Sequence, residues 1–415
     1  MKEKTQDIVV VGAGIIGITA ALRLQATGRS VLVLDRDDGT PRASEMNAGA
    51  FAFADIEPLA TPGIMKKAPK WLLDPLGPLS VPPRYALNTA PWLLRFWRAS
   101  RPDRYRSSVK AQADLMQMAR KALEALIGET ATEHLFRREG QLQLYEGERE
   151  YRASLPSWDL RRAHGIDFEL LETSEAIAAF QPGIDARFTH AGFTPDWINS
   201  CDPALWLKNL KETFLSRGGR MESAEVDSLS LSETSAGLSG PKIEICAGQI
   251  IICAGAWSHR IAATIGDRFP LETERGYNTT LGAGAFDLKT HLTFPGHGLV
   301  VTRIGDGIRV GGAVELGGLS LPPDYRRAQT LLGKAKQFLP ALKCDGGRQW
   351  MGFRPSLPDS LPVIDRSPRD RRVIYAFGHG HLGLTQSAGT AELVTHLVED
   401  TVPPIDLKPF SACRF

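Results

Sequence analysis

The chain has 415 residues, of which 43% are hydrophobic and 23% are charged, and its formal net charge is +2. This length is enough for two domains, and this composition is typical of a globular protein with an apolar core. The nearly balanced charge and the lack of a basic run exclude a polyanionic partner, so we expect no nucleic-acid binding.

Cysteine usage and hydropathy bear on where the protein works. The five cysteines are scattered, with no C-x-x-C pair and no metal-ligand spacing, which predicts reduced thiols and no metal site. The N-terminal apolar stretch is broken by glycines and does not resemble a signal peptide, and no apolar run reaches the roughly 18 residues of a membrane-spanning helix. We therefore expect a cytoplasmic protein, with at most peripheral contact at the inner face of the plasma membrane.

Residues 8–36 predict a strand, a glycine turn, a helix and a second strand. The apolar runs Ile8–Val11 and Val31–Leu34 are the predicted strands, and Ile15–Leu24 is the helix between them. A β-α-β unit of this kind presents free backbone N–H groups and the positive end of a helix dipole at its turn, where phosphate binds.

The turn itself has the spacing G-x-G-x-x-G, formed by Gly12, Gly14 and Gly17. The first glycine permits a sharp turn, the second lets the backbone approach a pyrophosphate, and the third lets helix and strand pack closely. Asp35 ends the second strand, where its carboxylate would accept hydrogen bonds from both ribose hydroxyls of an adenosine. These positions predict an adenine dinucleotide, either NAD or FAD.

Residues 57–91 contain eight prolines, which oppose regular helix through most of the span. A long irregular excursion of this kind is either a lid or binding loop or a plain surface meander. The next segment, Trp92–Trp97, is apolar except for one arginine. It is suited either to a membrane surface or to the core, and burial in the core is the favoured interpretation.

The middle of the chain predicts one long helix followed mostly by strands. Apolar residues at helical spacing predict a scaffold helix over 109–127. Alternation predicts a strand over Gln141–Tyr145, and Leu299–Val310 predicts a hairpin with Asp306-Gly307 at its turn. We therefore expect an antiparallel sheet over about 270–320, belonging to a second domain that is interleaved with the first.

Two later segments return to the character of a nucleotide-binding domain. Gln249–Ser258 predicts a strand that ends in a tight Ala-Gly-Ala turn, and Val373–Phe377 predicts a strand followed by a glycine loop over 378–383 and a helix over about 385–398. A second helix N-terminus would stabilise the negative charge that a flavin gains on reduction, whereas nicotinamide gains no such charge. The pair of helix starts favours FAD over NAD.

Six segments carry a resemblance that runs nearly from end to end: VVGAGIIG with Asp35-Arg36, Ser44-x-x-Asn47-Ala48-Gly49, CAGAWS at 253–258, Glu274-Arg275-Gly276-Tyr277, GFRPSLPDSLPVI at 352–364, and GHGHLGLT at 378–385. The chain resembles the D-amino-acid oxidase and dehydrogenase superfamily of FAD enzymes, which includes glycine oxidase and sarcosine oxidase. Within it, the chain is most similar to bacterial D-amino-acid dehydrogenases, especially those that act on D-proline and hydroxy-D-proline.

The resemblance implies the fold and its division along the chain. The fold class is α/β with an α+β cap, in which a Rossmann-like FAD-binding domain is interleaved with an antiparallel-sheet substrate domain. The FAD-binding domain is expected to comprise residues 1–60, 202–268 and 350–415. The substrate-binding domain is expected to comprise residues 61–201 and 269–349.

The resemblance also implies which residues hold FAD. The ADP half would be held by Gly12, Gly14, Ile15, Gly17, Asp35 and Arg36. The pyrophosphate, adenine and cofactor wall would be contacted by Ser44, Asn47, Val226, Ala254 and Gly255. The flavin edge would be covered by Gly380, His381, Leu382, Gly383 and Thr385. Because GHGHLGLTQ lacks the cysteine of covalently flavinylated members, we expect non-covalent FAD.

Three residues are predicted to act on the substrate. Arg354 matches the arginine that binds the substrate carboxylate in oxidases of the superfamily, and a guanidinium meets a carboxylate with two parallel hydrogen bonds. Its alternative is a structural salt bridge. Tyr277 is expected either to face the substrate or to pack within the sheet, and His381 is expected beside the flavin. Glu315 is expected to be structural, whereas Arg275 and Asn278 stay open between pocket and scaffold.

The sequence predicts an FAD-dependent D-amino-acid dehydrogenase. A hydride would pass from the substrate Cα to flavin N5, giving an imino acid, with D-proline and hydroxy-D-proline as candidate substrates and a quinone as electron acceptor. Positioning would do most of the work, because this oxidation needs no strong base at carbon. Two alternatives stay open: a glycine- or sarcosine-type oxidase that uses O₂, and a flavin-binding subunit of a larger oxidoreductase complex.

Overall fold

The computed structural model describes residues 6–36, 38–64 and 79–415, and within these ranges it contains three β-sheets. The helices are α1 (Ile15–Ala26), α2 (Ala43–Met46), α3 (Ala86–Ala99), α4 (Pro102–Thr130), α5 (Gly147–Ala163), α6 (Ser174–Phe180), α7 (Pro203–Ser216), α8 (Ser258–Ala263), α9 (Arg326–Phe338) and α10 (Gly383–Val398).

The first ten strands are β1 (Gln6–Val11), β2 (Val31–Asp35), β3 (Ala50–Phe51), β4 (Leu79–Ser80), β5 (Phe136–Arg137), β6 (Gln141–Glu146), β7 (Glu169–Leu171), β8 (Phe188–Thr194), β9 (Ile198–Ser200) and β10 (Arg220–Ser223). The others are β11 (Ser228–Leu231), β12 (Ala236–Gly240), β13 (Ile243–Ile252), β14 (Glu272–Leu281), β15 (His291–Phe294), β16 (Leu299–Ile304), β17 (Gly307–Leu316), β18 (Arg348–Ser356), β19 (Val363–Arg366) and β20 (Val373–Phe377).

The first sheet has eight strands and a parallel centre. β1 pairs in parallel with β2 on one side and with β13 on the other, and β13 pairs in parallel with β20. The five residues of β20 are all buried, as expected for a strand covered on both faces. Because α1 follows β1 and α10 follows β20, both helices begin at the same carboxyl edge of this sheet.

The contact between α1 and α10 brings their N-termini into register. The Thr19 hydroxyl donates a hydrogen bond to the Ser387 carbonyl oxygen at 3.2 Å. Thr19 and Ser387 are each the fifth residue of their helix, so the two helix starts are neighbours although they are far apart in sequence. α4 packs against α10, where a Cβ on Gly389 would lie only 2.9 Å from the Cα of Ala119.

The second sheet has nine strands in the order β18-β14-β17-β16-β15-β6-β8-β7, with β4 beside β17. This confirms the antiparallel region predicted over 270–320 and the hairpin of β16 and β17. The turn of that hairpin is Gly305-Asp306, one residue earlier than predicted. Ile304 pairs with Gly307, and Gly305 adopts the positive φ of 57° that the turn requires.

The strands of the two sheets do not follow the predicted domain segments of the chain. Segment 202–268 contributes β10 to β13 to the first sheet, whereas β18, at the start of segment 350–415, belongs to the second sheet. α4 lies in the predicted substrate segment, yet its buried residues belong to the apolar core around α1 and α10. The domain boundaries themselves stay a prediction.

The structure describes only part of the proline-rich span. Residues 65–78 lie outside the described part of the chain, so most of the predicted irregular excursion has no structural account. Pro91, however, lies inside α3, where it has no N–H to donate to the carbonyl of Leu87, a residue that is 88% exposed. The core prediction for Trp92–Trp97 holds for Trp92 but is wrong for Leu94 and Trp97, which are each 45% exposed.

Candidate functional site

The carboxyl edge of the parallel strands collects most of the predicted cofactor residues. The glycine turn follows β1, Asp35 ends β2, Ala254 and Gly255 follow β13, and loop 378–382 follows β20. In open α/β sheets, ligands bind at this edge. The fold therefore places two helix starts and four loops at one edge of the sheet, where a crevice for an extended ligand is expected.

Two of the three glycines of the turn are required by backbone contacts. Gly12 has a φ of 110°, and a Cβ there would lie 2.4 Å from the carbonyl oxygen of Cys253. A Cβ on Gly17 would lie 1.8 Å from the carbonyl oxygen of Gly12. A Cβ on Gly14 would meet only the Ser44 hydroxyl, at 3.2 Å. The turn is thus a bare backbone cradle at the start of α1, which fits a dinucleotide pyrophosphate.

Polar residues near this cradle hold one another in place. Asp35 accepts a hydrogen bond from the backbone N–H of Ala13 at 2.5 Å, and it forms an ion pair with Arg42. The Ile15 N–H donates to the Ser44 hydroxyl oxygen at 3.0 Å. The Arg36 guanidinium lies 3.8 Å from the centre of the Trp257 ring. These contacts gather carboxylate, hydroxyl and guanidinium groups beside the cradle, and their contact with an ADP group stays a prediction.

Two further predicted cofactor residues have mainly local contacts. The Asn47 amide donates to the Ser44 carbonyl oxygen at 2.9 Å and its oxygen accepts from the Gly49 N–H at 2.7 Å, so it shapes its own loop. Val226 is 9% exposed and packs in the apolar cluster that contains Val11. Whether either residue touches the cofactor stays a prediction.

The loop before α10 joins the two sheets. The Gly380 N–H donates to the Pro355 carbonyl oxygen at 2.7 Å, and the Thr385 hydroxyl accepts from the Ala52 N–H at 2.9 Å. His379 is buried, is hydrogen-bonded to the Thr390 hydroxyl at 2.9 Å, and has its pKa lowered to about 3 by burial. It is therefore a neutral structural residue, and the loop lies beside the end of β18.

β14 and β18 present a shared face to the crevice. Along β14 this face carries Glu274, Gly276 and Asn278, which pair with Arg354, Gly352 and Trp350 of β18 in that order. Side chains of paired residues project to the same side of a sheet. The Asn278 amide donates to the Met46 carbonyl oxygen at 2.8 Å, so this face is turned toward the cofactor loops.

Arg354 is poised for a carboxylate ligand. Its guanidinium lies over Gly276, where a Cβ would be 2.3 Å from Nη2. Among the described residues, its hydrogen bonding amounts to one bond, from Nη1 to the Ala313 carbonyl oxygen at 3.2 Å, and it has no carboxylate within 4.0 Å. Burial lowers the pKa of Arg354, and the charge of Glu274 opposes that shift. The alternative of a structural salt bridge is therefore not favoured.

Tyr277 lies on the opposite face of β14. Its hydroxyl donates to the Glu315 carboxylate at 2.6 Å and accepts from the Asp324 N–H at 3.0 Å. The residue is 1% exposed, and burial with the Glu315 contact raises its pKa to about 12. Both hydrogen-bonding capacities of the hydroxyl are used within the protein, so the geometry favours the packing interpretation over a substrate contact.

The same far face contains the residues around Glu315. Arg275 is fully buried, contacts Glu315 at 3.5 Å and donates to three backbone carbonyl oxygens. Arg327 approaches Glu315 at 3.7 Å. This arrangement agrees with the expectation that Glu315 is structural, and it assigns Arg275 to the scaffold.

His381 lies in the crevice near Arg354. Although its ring is open to solvent there, the protein packed around it and the positive charge of Arg354 lower the pKa of His381 to about 4. The imidazole is therefore neutral at pH 7. It can donate or accept a hydrogen bond, but it does not add a positive charge beside the arginine.

Sequence reasoning missed three residues of this face. Trp350 lies over Gly352, where a Cβ would be 1.9 Å from the indole ring. Arg309 donates to the Asn47 carbonyl oxygen and to the Thr280 hydroxyl. Glu274 is 3% exposed. The spacing of Trp350, Gly352 and Arg354 at alternate positions of one strand is the signal that could have found the aromatic residue.

These features define the class of flavin-binding oxidoreductases: a dinucleotide cradle, a second helix start beside it and an antiparallel sheet carrying an arginine. A family model described as FAD dependent oxidoreductase matches residues 7–397. The chain belongs to this family, which confirms FAD as the cofactor and the predicted α/β fold class.

Individual relatives extend over the whole chain. A D-amino-acid oxidase from Bradyrhizobium diazoefficiens is 31% identical, with 99% of each chain covered. A D-amino acid dehydrogenase from Sinorhizobium medicae is 29% identical, with 98% of this chain and 99% of the relative covered. The solved structure of glycine oxidase from Geobacillus kaustophilus has a TM-score of 0.78 at 20% identity, with 99% of this chain and 98% of that chain covered. The family resemblance seen in the sequence is confirmed.

Proposed function

We propose that this protein is an FAD-dependent D-amino-acid dehydrogenase that converts its substrate to an imino acid. The observation that carries the proposal is Arg354, a guanidinium that has no carboxylate partner among the described residues and is held above Gly276 on the face turned toward the cofactor crevice. A full-length D-amino-acid oxidase and D-amino acid dehydrogenases among the relatives support the same substrate class.

The side chains of the crevice would bind and orient the substrate. Arg354 would hold the carboxylate through two parallel hydrogen bonds, and the Trp350 ring would form an apolar wall beside it. Neutral His381 would offer a hydrogen bond without competing for the carboxylate. FAD, when bound, supplies the hydride acceptor. Fixing the substrate Cα in one orientation is the main contribution of these residues.

Replacing Arg354 with alanine tests this proposal. We expect KM for amino acids to rise about 30-fold or more, because loss of one partner of a buried charge-assisted pair costs roughly 2–5 kcal/mol. FAD content, read from flavin absorbance, should be unchanged. The matched control is Arg369→Ala, whose side chain is 61% exposed. An unchanged KM in Arg354→Ala would remove the arginine from substrate binding.

The substrate side chain and the electron acceptor need separate measurements. We propose D-proline and hydroxy-D-proline as candidate substrates, to be screened anaerobically with other D-amino acids, glycine and sarcosine by loss of flavin absorbance. The oxidase-named relative keeps O₂ as the second candidate acceptor. Peroxide formation in aerated buffer supports the oxidase. Reduction of a quinone or dye without peroxide supports the dehydrogenase.

We also propose that α3 contacts an anionic membrane surface, where a quinone would be found. Leu87, Leu94 and Trp97 form an exposed apolar stripe with exposures of 88%, 45% and 45%. Arg95 and Arg98 are exposed beside this stripe, and α3 contains no acidic residue. Apolar side chains flanked by arginines suit the headgroup boundary of an anionic bilayer. None of the helices in the described ranges is long and apolar enough to cross a membrane.

Sedimentation with phosphatidylglycerol vesicles tests this contact. We expect the holoenzyme to bind at low salt and the Leu94→Asp/Trp97→Asp variant to lose binding. Leu205→Asp/Leu215→Asp is the matched control, because these α7 leucines are 46% and 48% exposed. Equal loss in both variants, or binding that survives Leu94→Asp/Trp97→Asp, would contradict a specific role for α3.

A further inference from the structure

Glu274 is a buried carboxyl group that the contacts described so far do not use. It is 3% exposed, and its Oε2 atom has no hydrogen-bond partner among the described residues. It pairs directly with Arg354 across β14 and β18, so the two side chains leave the sheet side by side. The carboxyl group therefore stands next to the guanidinium that would bind the substrate carboxylate.

The surroundings of Glu274 contrast with those of Glu315 on the other face. Glu315 accepts a hydrogen bond from Tyr277 and lies within 4.0 Å of two arginines. Glu274 has no ion pair within that distance, and the neighbouring Ser356 hydroxyl also has no hydrogen-bond partner in the described chain. A buried polar atom without a partner is costly, which points to a ligand group that completes the site.

The charges around Glu274 set its protonation. Burial raises the pKa of Glu274, the charge of Arg354 opposes the rise, and Ser356 also lowers it, although no well-formed hydrogen bond joins the two side chains. The other titratable groups that the described chain places on this face are Glu272, which contacts the Tyr85 hydroxyl, Arg309 and Arg348, which both pair with Thr280 farther along the sheet, and His381 beyond Arg354. Arg354 is thus the charge that favours the ionised form of Glu274 against the effect of burial.

We propose that Glu274 accepts the proton that the substrate ammonium group must lose before its Cα is oxidised. This rests on the proposed function, because it assumes an amino acid on Arg354. In an amino acid, a single carbon separates the ammonium group from the carboxylate. When Arg354 binds the carboxylate, the ammonium group therefore lies next to Glu274. The amine lone pair must be free for the carbon–nitrogen double bond to form.

The transfer balances within the site. One N–H bond of the ammonium breaks, one O–H bond on Glu274 forms, and no electron is gained or lost. The substrate carboxylate meanwhile neutralises Arg354 and so offsets the charge that favours the ionised form of Glu274. Proton transfer then converts a buried ammonium and a buried carboxylate into two neutral groups, which is favourable where water is excluded.

Ligand binding by the holoenzyme gives a readout that needs no turnover. Isobutyrate carries the carboxylate alone, whereas 2-aminoisobutyrate adds the ammonium but has no Cα hydrogen to lose. Calorimetry in buffers of different ionisation enthalpy should show uptake of about one proton from solution with isobutyrate and almost none with 2-aminoisobutyrate. In Glu274→Gln, isobutyrate should bind without proton uptake. Proton uptake that persists in Glu274→Gln would overturn the proposal.

Anaerobic flavin reduction supplies the second readout. With Glu274→Gln, the rate should fall about tenfold for each pH unit below the amine pKa and recover at alkaline pH. The unmodified protein should keep its rate to lower pH and lose it only where Glu274 itself becomes protonated. Glu272→Gln, on the same strand, is the control and should retain the unmodified profile.

The two proposals fail in different ways. If no amino acid reduces the flavin of the unmodified protein, the proposed function fails. If amino acids reduce it and Glu274→Gln has the same pH profile as the unmodified protein, only the role of Glu274 fails. Lost FAD in Glu274→Gln would be seen in the absorbance spectrum, and Glu274→Asp, which keeps the carboxyl, should then restore proton uptake.

Discussion

At the scale of the residue, neighbouring positions on β14 have different tasks because their side chains leave opposite faces of the sheet. Glu274 and Gly276 face the crevice with Arg354, whereas Arg275 and Tyr277 face α9 and the Glu315 cluster. The presence of a tyrosine on the same strand as Glu274 is therefore insufficient to assign a substrate contact. The face must be known as well as the position.

Removing the Tyr277 hydroxyl should affect stability and leave substrate binding unchanged. Tyr277→Phe takes one hydrogen bond from Glu315 and one from the Asp324 N–H, both in or near the buried cluster. We expect the free energy of unfolding to fall by about 1–3 kcal/mol, measured by denaturant unfolding of the holoenzyme. KM should stay within twofold. Tyr325→Phe, on a side chain that is 39% exposed, is the control, and a large rise of KM in Tyr277→Phe would restore the substrate role.

At the scale of the element, the start of α1 depends on a backbone approach that tolerates no side chain. The helix meets the turn so closely that Gly17 lies against the carbonyl of Gly12, and Gly12 lies against Cys253 at the end of β13. Two separate segments of chain, the β1–α1 turn and the end of β13, thus define one phosphate cradle. The contact that requires glycine at position 17 is with a residue close in sequence, whereas the contact that requires glycine at position 12 is with a residue far away in sequence.

Adding a methyl group at Gly17 should separate helix from turn. In Gly17→Ala the Cβ would lie 1.8 Å from the Gly12 carbonyl oxygen, so α1 must move. We expect loss of most FAD from the purified protein and a lower melting temperature. In Gly333→Ala, on the exposed side of α9 with nothing within 4 Å, we expect a gain of about 0.5–1 kcal/mol. Full FAD content in Gly17→Ala would contradict the close approach.

Elements also explain which predictions succeeded. The β1-α1-β2 unit and the β20-α10 pair are each indicated by the spacing of apolar residues and glycines within a short segment. The cofactor edge could therefore be predicted from those segments of sequence. The roles of Tyr277, Trp350 and Glu274 depend on the pairing of β14 with β18, which start more than 70 residues apart, and on the irregularity between Arg275 and Tyr277. Single-sequence patterns contain no information on that pairing.

At the scale of the whole molecule, the cofactor crevice lies between elements drawn from both ends of the chain. α1 packs on α10, α4 packs on α10 from the other domain segment, and the loop before α10 bonds to β18. Exposed segments are harder to predict than this core: the apolar residues of α3 are split between buried Trp92 and exposed Trp97. Apolar character alone does not determine which of these residues is buried against the rest of the protein.

Removing FAD should destabilise the molecule as a whole. A ligand that binds only the folded state adds about 4 kcal/mol at a thousandfold excess over its Kd. We therefore expect the protein without FAD to melt several degrees lower and to recover when FAD is added back. Acid precipitation should leave the flavin in the supernatant, since we propose that no covalent bond holds it. A yellow pellet would contradict non-covalent binding.

The alignment of the two helix starts has a consequence for biosynthesis. Thr19 of α1 is synthesised long before its partner Ser387 of α10, and β1 long before its neighbour β13. At about 5–20 residues per second, a ribosome needs roughly 20–70 s to proceed from Thr19 to Ser387. During that interval the strongly apolar β1 must be kept from aggregating. Because the cofactor site needs both helix starts, FAD can act as a folding ligand only after nearly all of the chain has been synthesised.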